Sequence, residues 1–248
     1  MPLLADFHNH SCLSPCGSLD LSPRVLVNLA ANSGINVLAL TDHNSSLNCP
    51  AFAKVCLKRG ILPLFGMEAN TQEEIHFLCL FTNLEASLSF SEYVYSILSP
   101  FRNIPERTGD QVYVDEEDNI IGEVENYLVN TIDLNTGNIA AKTAEYGGIV
   151  IPAHVERPAF SMTSQLGVVV KGDWAALECT RLPPEFNGGL LDTLGYHLLT
   201  SSDAHYPEHV ARRPFNLDIS MEELAPNGLS GEADINALKR ALEKLPIM

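Results

Sequence analysis

Six of the eight histidines and two acidic residues stand in short polar clusters that recur along the chain. Imidazole and carboxylate side chains together suit zinc, iron or manganese, and they make calcium a poor fit. The set holds more ligands than one tetrahedral centre uses, so it predicts two or three divalent metal ions. Its members are His8, His10, His43, Glu68, His76, His154, Asp203 and His205.

A metal centre explains this set better than separate structural roles do. Any one of these histidines, taken alone, is most simply a hydrogen-bonded core residue, and a single HxH pair is common by chance. Burying so many titratable groups near one another is costly without compensation, however, and divalent cations supply that compensation.

The clusters lie at the ends of short apolar segments that are typical of buried strands, and helical patterns separate these segments. This alternation predicts an α/β fold with a mainly parallel sheet. The predicted helices run from Ser22-Pro23 to Gly34 and over 50–59, 84–98 and 232–244. The predicted strands are LLADF (3–7), NVLALT (36–41), ILPLFGME (61–68), EIHFLCLF (74–81), GIVIPAH (148–154), WAALECT (174–180) and HLLTSSDAH (197–205).

Seven strands in one domain favour a barrel, in which the strand ends open on the face where barrel enzymes assemble their sites. His8 and His10 are two residues apart, so both side chains point the same way from an extended strand. Too few residues separate Glu68 from His76 for a crossover helix. These two strands should therefore form an antiparallel hairpin, which returns His76 to the same face.

Length and composition limit the remaining architecture. The 248 residues suit a single domain, 1–248, with a β-hairpin insertion at about 100–135, where QVYV and NIIGEV flank the turn-like DEED. No apolar run is long enough for a membrane span, and the N-terminus lacks the pattern of a signal peptide. Six cysteines without a CxxC pair indicate a reducing, cytoplasmic location.

The formal net charge of −16 bears on the substrate. A large negative field repels a polyanion, so a dedicated nucleic-acid binder is disfavoured. Bound dications would invert the potential locally. A small phosphorylated molecule therefore remains a suitable partner, while the oligomeric state is not predicted.

The joint motif pattern resembles the PHP (polymerase and histidinol phosphatase) superfamily over roughly 6–213. The motifs are HNH (8–10), TDH (41–43), GME (66–68) with IHF (75–77), PAH (152–154) and SDAH (202–205). The resemblance implies a distorted (β/α)7 TIM-like barrel that holds up to three metals. It assigns one site to His8, His10, Glu68 and Asp203, a second to His76 and His154 with Glu68 bridging, and a third to His43 and His205 plus a residue after the HxH motif.

In that third site the chain departs from the family pattern. Cys16 stands where some relatives carry histidine, and no aspartate precedes Asp20 in that loop. Cys16 is a candidate ligand, because a nearby dication lowers the pKa of a thiol, and a thiolate would favour zinc or iron over manganese. An incomplete third site and a redox pairing of Cys16 with Cys12 remain alternatives.

The resemblance implies a metal-dependent phosphoesterase that hydrolyses a small phosphomonoester or phosphodiester. A hydroxide held between metals would be the nucleophile, and the metals would stabilise charge on the phosphoryl oxygens. The alternatives are a PHP-type 3′–5′ exonuclease and a non-catalytic metal-binding or regulatory domain.

Other residues are candidates for supporting roles. Asp6 and Asp42 are expected to accept a hydrogen bond from a ligand histidine, and Asp42 alternatively to transfer protons.

Phosphate recognition favours guanidinium groups. The candidates for substrate binding are Arg157, Arg212, Arg213 and Asn44, of which Arg212 lies in a segment, SDAHYPEHVARR, that resembles a family segment near the substrate phosphate.

Overall fold

Strands and helices alternate through residues 2–229 and 232–248, which are the residues that the computed structural model describes. The strands are β1 Leu3–Asp6, β2 Val37–Leu40, β3 Leu62–Asn70, β4 His76–Phe81, β5 Val112–Val114, β6 Ile120–Glu123, β7 Ile149–Pro152, β8 Leu177–Glu178, β9 Glu185–Phe186, β10 Gly189–Leu190, β11 Leu198–Leu199 and β12 Phe215–Leu217. The α-helices are α1 Pro23–Asn32, α2 Cys49–Arg59, α3 Leu84–Ser96, α4 Pro105–Thr108, α5 Ile139–Glu145, α6 Met162–Leu166, α7 Met221–Leu224 and α8 Ile235–Leu242.

The helix boundaries follow from capping residues that are visible in the sequence. Ser22 caps α1 by accepting a hydrogen bond from the Val25 N–H, and Pro23 occupies the first turn. Gly60 ends α2 in the left-handed conformation at φ 73°, which glycine adopts without steric cost. The four helices predicted from the sequence are therefore present, although α8 begins later than expected.

Six strands form one curled sheet in the order β12-β1-β2-β3-β4-β7. β1, β2 and β3 are parallel, and the predicted antiparallel hairpin of β3 and β4 is present, with Asn70 opposite His76. β7 is antiparallel to β4, so it runs in the same direction as β3 and its end reaches the same face. The expectation of a mainly parallel sheet is wrong, because β12 and the reversed strand β4 make three of the five pairings antiparallel.

A closed (β/α)7 barrel is not confirmed. β8 and β11 form a separate parallel pair of two residues each. A few hydrogen bonds join the segments of this pair to β7 and to the residues after β1: the N–H groups of Ala175 and Val155 donate to the carbonyls of Val150 and Glu178 at 2.9 Å, and Asn9 forms an isolated bridge with Ala204. Strands this short cannot build the continuous ladders that close a barrel.

The predicted hairpin insertion is present as β5 and β6, which pair antiparallel. Two asparagines near the polar clusters, Asn44 after β2 and Asn70 at the end of β3, bind the backbone of the insertion. The Asn44 side chain donates to the carbonyls of Leu128 and Asn130, and the Asn70 side chain donates to the Val129 carbonyl. The insertion is thus fixed against the strand ends. No helix in the described ranges has the length and apolar character needed to cross a membrane.

Candidate metal centre

The eight histidine and acidic residues of the sequence analysis meet at one end of the curled sheet. Seven of them contribute side chains that are about nine-tenths buried or more, and His205 is slightly more exposed. Because β1, β2, β3 and β7 run in the same direction, the residues that follow them reach the same end, and the β3–β4 hairpin brings His76 there. The predicted convergence of these side chains is therefore observed.

Glu68 lies at the centre of this group. Its two carboxylate oxygens are surrounded by ring nitrogens from five histidines, an arrangement suited to a carboxylate that bridges cations. The distances to the nearest carboxylate oxygen are 2.7 Å for His76, 3.0 Å for His154, 3.1 Å for His43 and 3.3 Å for both His8 and His10.

Asp203 forms the outer side of the centre. Its Oδ1 lies 3.6 Å from Nε2 of both His8 and His10, and 3.3 Å from Nδ1 of His205. Asp203 adopts φ 48°, a conformation that is uncommon for a residue other than glycine. His154 is likewise at φ 31°. Such backbone strain concentrates at functional sites.

Four groups of three residues bring their ligand atoms within 4.8 Å of one another, close enough to share an ion. Glu68 belongs to two of these groups, which places it between them. The groups are His8–His10–Asp203, His8–Glu68–His154, His43–Glu68–His76 and His10–His43–His205.

Several buried polar atoms in the centre have no hydrogen-bond partner among the described residues. They are Nδ1 of His43, Nε2 of His76, Nδ1 of His154 and Oδ1 of Asp203. Nδ1 of His43 lies close to Glu68 but is not aligned for a hydrogen bond. Buried polar groups are normally paired, so such atoms are unusual in a purely structural cluster. Nitrogen and oxygen ligands in this geometry fit divalent transition metals.

The histidines and acids of the centre strongly shift one another's pKa values. Burial raises the pKa of Glu68, but His76, His8 and His43 outweigh it and hold this pKa well below its usual range. Burial lowers the pKa of His8, whereas Glu178 and Glu68 outweigh it and raise this pKa well above normal. For His43 burial prevails and the pKa falls well below normal.

Glu178 supports the centre in a way that the sequence analysis missed. Its Oε2 accepts hydrogen bonds from Nδ1 of His8 at 2.9 Å and from the backbone N–H of His154 at 2.9 Å. A carboxylate in this position fixes the tautomer and orientation of a metal-binding imidazole. The available signal was its place at the end of the segment WAALECT, which was predicted as a strand.

Asp42 contacts two serines instead of a histidine ring. Its Oδ1 accepts from the hydroxyl of Ser14 at 2.7 Å, and Ser14 Oγ lies 2.9 Å from Nδ1 of His10. The Ser11 N–H and hydroxyl donate to the two oxygens of Asp42 at 2.6 Å. Among the described residues no histidine donates the expected direct hydrogen bond to Asp42, and Asp42 contacts His10 through Ser14.

The expectation for Asp6 also needs correction. Its carboxylate accepts hydrogen bonds from the backbone N–H and the hydroxyl of Ser202, and no histidine ring nitrogen donates to it among the described residues. Burial raises the pKa of Asp6 to about 6. Asp6 holds the loop directly before Asp203, while Glu178 makes the contact with His8 that was expected of Asp6.

Asn44 and Arg213 were predicted to bind substrate, and the structure shows both engaged with the protein backbone. Asn44 is fully buried, its amide donates to two carbonyls of the insertion, and its oxygen accepts from the Asn70 N–H at 3.1 Å. Arg213 donates to the carbonyls of Thr180 and Ser202 at 3.0 and 3.1 Å. Neither side chain is free to meet a ligand in this arrangement.

Arg157 and Arg212 lie at the edge of the centre. Arg157 is 40% exposed and donates to Oδ2 of Asp203 at 3.2 Å. Arg212 donates to the carbonyls of Ser202 and Asp203 at 2.6 and 3.2 Å. Both guanidinium groups reach solvent at this edge, and Arg157 is the one that forms an ion pair with the Asp203 carboxylate.

Cys16 is exposed beside His205. Burial and the charge of His10 lower the pKa of His205, but the neighbouring Asp203 and Cys16 outweigh them and raise it. Cys16 does not belong to the group His10–His43–His205 that could share an ion, and both Cys16 and Cys12 are free thiols. The ligand role of Cys16 stays a prediction.

Comparison with known families places the motifs in a wider context. The sequence model of the PHP domain matches residues 6–142, more than half of the chain. A curated relative, the PolC-type DNA polymerase III of Streptococcus pneumoniae, is 28% identical over 153 residues, which are 58% of this chain and 10% of the polymerase. The chain thus spans only a small part of that relative.

Solved structures share the fold at low sequence identity. The lesion-specific endonuclease PfuEndoQ from Pyrococcus furiosus has a TM-score of 0.63 at 19% identity, over 93% of this chain and 56% of the endonuclease. Endonuclease Q in complex with a duplex that carries an abasic lesion gives 0.66 at 17% identity, over 99% and 57%. A protein from Bifidobacterium adolescentis described as a metal-dependent phosphoesterase gives 0.55 at 15% identity, over 98% and 96%.

Proposed function

This chain belongs to the PHP domain family, and from that premise we propose that it is a metal-dependent phosphoesterase that acts on a small phosphorylated substrate. The observation that carries the proposal is the Glu68 carboxylate, which is surrounded by five histidine nitrogens within 3.3 Å. One carboxylate surrounded by so many imidazoles fits a ligand that is shared between cations far better than it fits one partner of an ion pair.

The proposed ligands are the eight residues of the centre, with Glu68 bridging and Cys16 as a further ligand. Bound zinc, iron or manganese, in two or three positions, would supply Lewis acidity to the phosphoryl oxygens and lower the pKa of water to about 7. Glu178 holds the imidazole of His8 in one tautomer, and Ser14 holds that of His10. Arg157 binds the non-bridging phosphoryl oxygens once its contact with Asp203 is released.

We also propose that residues 1–248 form one hydrolase domain with an insertion at about 100–135. In this proposal the seven strands of a distorted barrel are five strands of the curled sheet, β1, β2, β3, β4 and β7, together with the β8–β11 pair. The cytoplasmic location predicted from the cysteine content stays a prediction.

A nuclease is the second candidate. The curated relative is a DNA polymerase, and two structural neighbours are endonucleases, one of them in complex with a DNA duplex. These similarities favour nucleic acid as a partner. The net charge of −16 argues against it, as the sequence predicted. Local cations would attract a phosphodiester backbone in spite of the acidic surface.

A substrate panel separates these functions. We expect metal-dependent hydrolysis of p-nitrophenyl phosphate or its bis ester after the addition of manganese, zinc or iron, and His10→Ala should abolish it. His209→Ala is the matched control, because His209 contacts Tyr206 outside the centre. Cleavage of short single-stranded DNA or of an abasic duplex, without turnover of small esters, would establish the nuclease. No hydrolysis of any of these substrates with any metal would leave the non-catalytic alternative.

A further inference from the structure

An apolar groove lies outside the metal centre, between the β5–β6 hairpin and the helices α2 and α3. We call it the insert groove. It has a cavity volume of about 600 Å³, within the range of ligand-binding clefts. Apolar side chains that line it are Leu47, Pro50, Leu88, Tyr95, Tyr113 and Ile121.

An apolar side chain of the hairpin projects from this groove into solvent. Ile121 lines the groove and is 60% exposed, and Ile120, which lies outside the lining, is 67% exposed on the same strand. Tyr95 and Leu47, on the opposite side, are also exposed. Contiguous exposed apolar residues with a polar rim are typical of interaction sites.

The rim of the insert groove is acidic, and some of its carboxylates form no ion pair within the described ranges. Lys54 is the basic residue in the lining, and it pairs with Glu116 at 2.9 Å. Glu92, Asp115 and Glu123 also line the groove, and they form no ion pair within the described ranges. The groove therefore presents an apolar floor beside carboxylates that lack a cationic partner.

The acids at the tip of the hairpin differ from those of the groove. Asp118 pairs with Arg24 of α1, and Glu117 lies 3.5 Å from Lys58 of α2. Asp118 and Glu117 therefore already have basic partners within the chain. Asp115 accepts hydrogen bonds from the backbone N–H and the side chain of Asn119, so Glu92 and Glu123 are the groove acids available to a partner.

The charge of the chain decides between occupants. A second copy would bring the same acidic surface, since the chain has 31 acidic and 15 basic residues, and two copies would repel each other at this groove. A segment that carries apolar side chains together with lysine or arginine complements both the floor and the rim. We propose that the insert groove binds such a basic, amphipathic segment of another protein.

A defined probe tests this proposal. The probe is a short fluorescent peptide of alternating leucine and lysine, with its leucine–glutamate counterpart as the charge control, and its binding to the intact protein is followed by fluorescence anisotropy at physiological ionic strength. We expect saturable binding of the lysine peptide and none of the glutamate peptide.

The variant Ile121→Asp separates groove binding from general attraction to an acidic protein. The substitution adds negative charge, so non-specific attraction would strengthen, whereas binding in the groove should weaken about tenfold. Leu190→Asp is the matched control, because Leu190 is 74% exposed on the β9–β10 hairpin and should bind like wild type. Both positions are exposed, so folding is retained, and thermal unfolding verifies it.

Three results would overturn the proposal. The first is unchanged or tighter peptide binding by Ile121→Asp, and the second is no binding of the lysine peptide by the wild-type protein. The third is concentration-dependent self-association in sedimentation velocity that Ile121→Asp abolishes, which would assign the groove to a second copy.

Discussion

Oε2 of Glu178 lies 2.9 Å from Nδ1 of His8, and both side chains are buried. The same oxygen accepts from the backbone N–H of His154, which belongs to another strand end. One carboxylate outside the proposed ligand set therefore positions two residues inside it. Because Nδ1 of His8 binds Glu178, Nε2 on the other side of the ring faces Glu68 and Asp203.

Replacing Glu178 should weaken metal binding without removing a ligand. Glu178→Gln keeps the size of the side chain but loses the charge that favours the Nδ1–H tautomer of His8. We expect affinity for zinc to fall by about 10–100-fold in a chelator competition assay. Glu185→Gln, at an exposed position on β9, serves as the control. Equal affinities of the wild-type protein and Glu178→Gln would contradict the positioning role.

Asn44 should contribute to stability and not to substrate binding. Asn44→Ala removes an amide that donates to Leu128 and Asn130 and leaves these carbonyls without their partner. We expect the free energy of unfolding to fall by about 2–4 kcal/mol in urea titrations. A normal unfolding free energy combined with a raised KM would instead restore the role in substrate binding.

Arg157 should contribute to substrate affinity. Arg157→Ala removes an accessible guanidinium next to Asp203, so the KM for p-nitrophenyl phosphate should rise about tenfold with a smaller change in kcat. Arg181→Ala is the matched control, since Arg181 is exposed and pairs with Glu185. If both variants kept the KM of the wild type, Arg157 would not contact the phosphoryl group.

Acidification should weaken metal binding. Burial lowers the pKa of His8 and His10 in the metal-free protein, but nearby carboxylates outweigh it and raise both pKa values. A ring nitrogen must lose its proton to bind a metal, so binding releases protons and the apparent affinity falls as pH drops. Zinc titrations between about pH 8 and pH 6 measure this dependence. A constant affinity would show that both rings are already neutral without metal.

The sequence was sufficient to predict the strand ends and the residues that gather there, because polar clusters after apolar segments leave a strong local pattern. The β3–β4 hairpin followed from the short connection between Glu68 and His76. β12, β8 and β11 could not be delimited in this way, since segments of two or three residues show no periodicity. Their pairing depends on tertiary contacts such as the packing of Phe7 against Phe215.

The contacts that support the centre were harder to predict than its members. Glu178 lies 170 positions from His8 along the chain, and no local spacing connects the two residues. Asn44 looked available for substrate because it follows His43 directly. Its partners, Leu128 and Asn130, lie in an insertion that follows no regular pattern, so its engagement was visible only in the folded structure.

Metal stoichiometry tests the central claim most directly. The wild-type protein, produced with ample manganese, zinc and iron and then freed of loosely bound ions, is analysed by plasma mass spectrometry beside Glu68→Gln and the exposed control Glu85→Gln. Because Glu68 belongs to two candidate ion-binding groups, we expect two or three ions per chain in the wild type and the control, and a loss of more than one ion in Glu68→Gln. A wild-type protein that retains no metal, or a Glu68→Gln variant that retains as much as the wild type, would contradict the account.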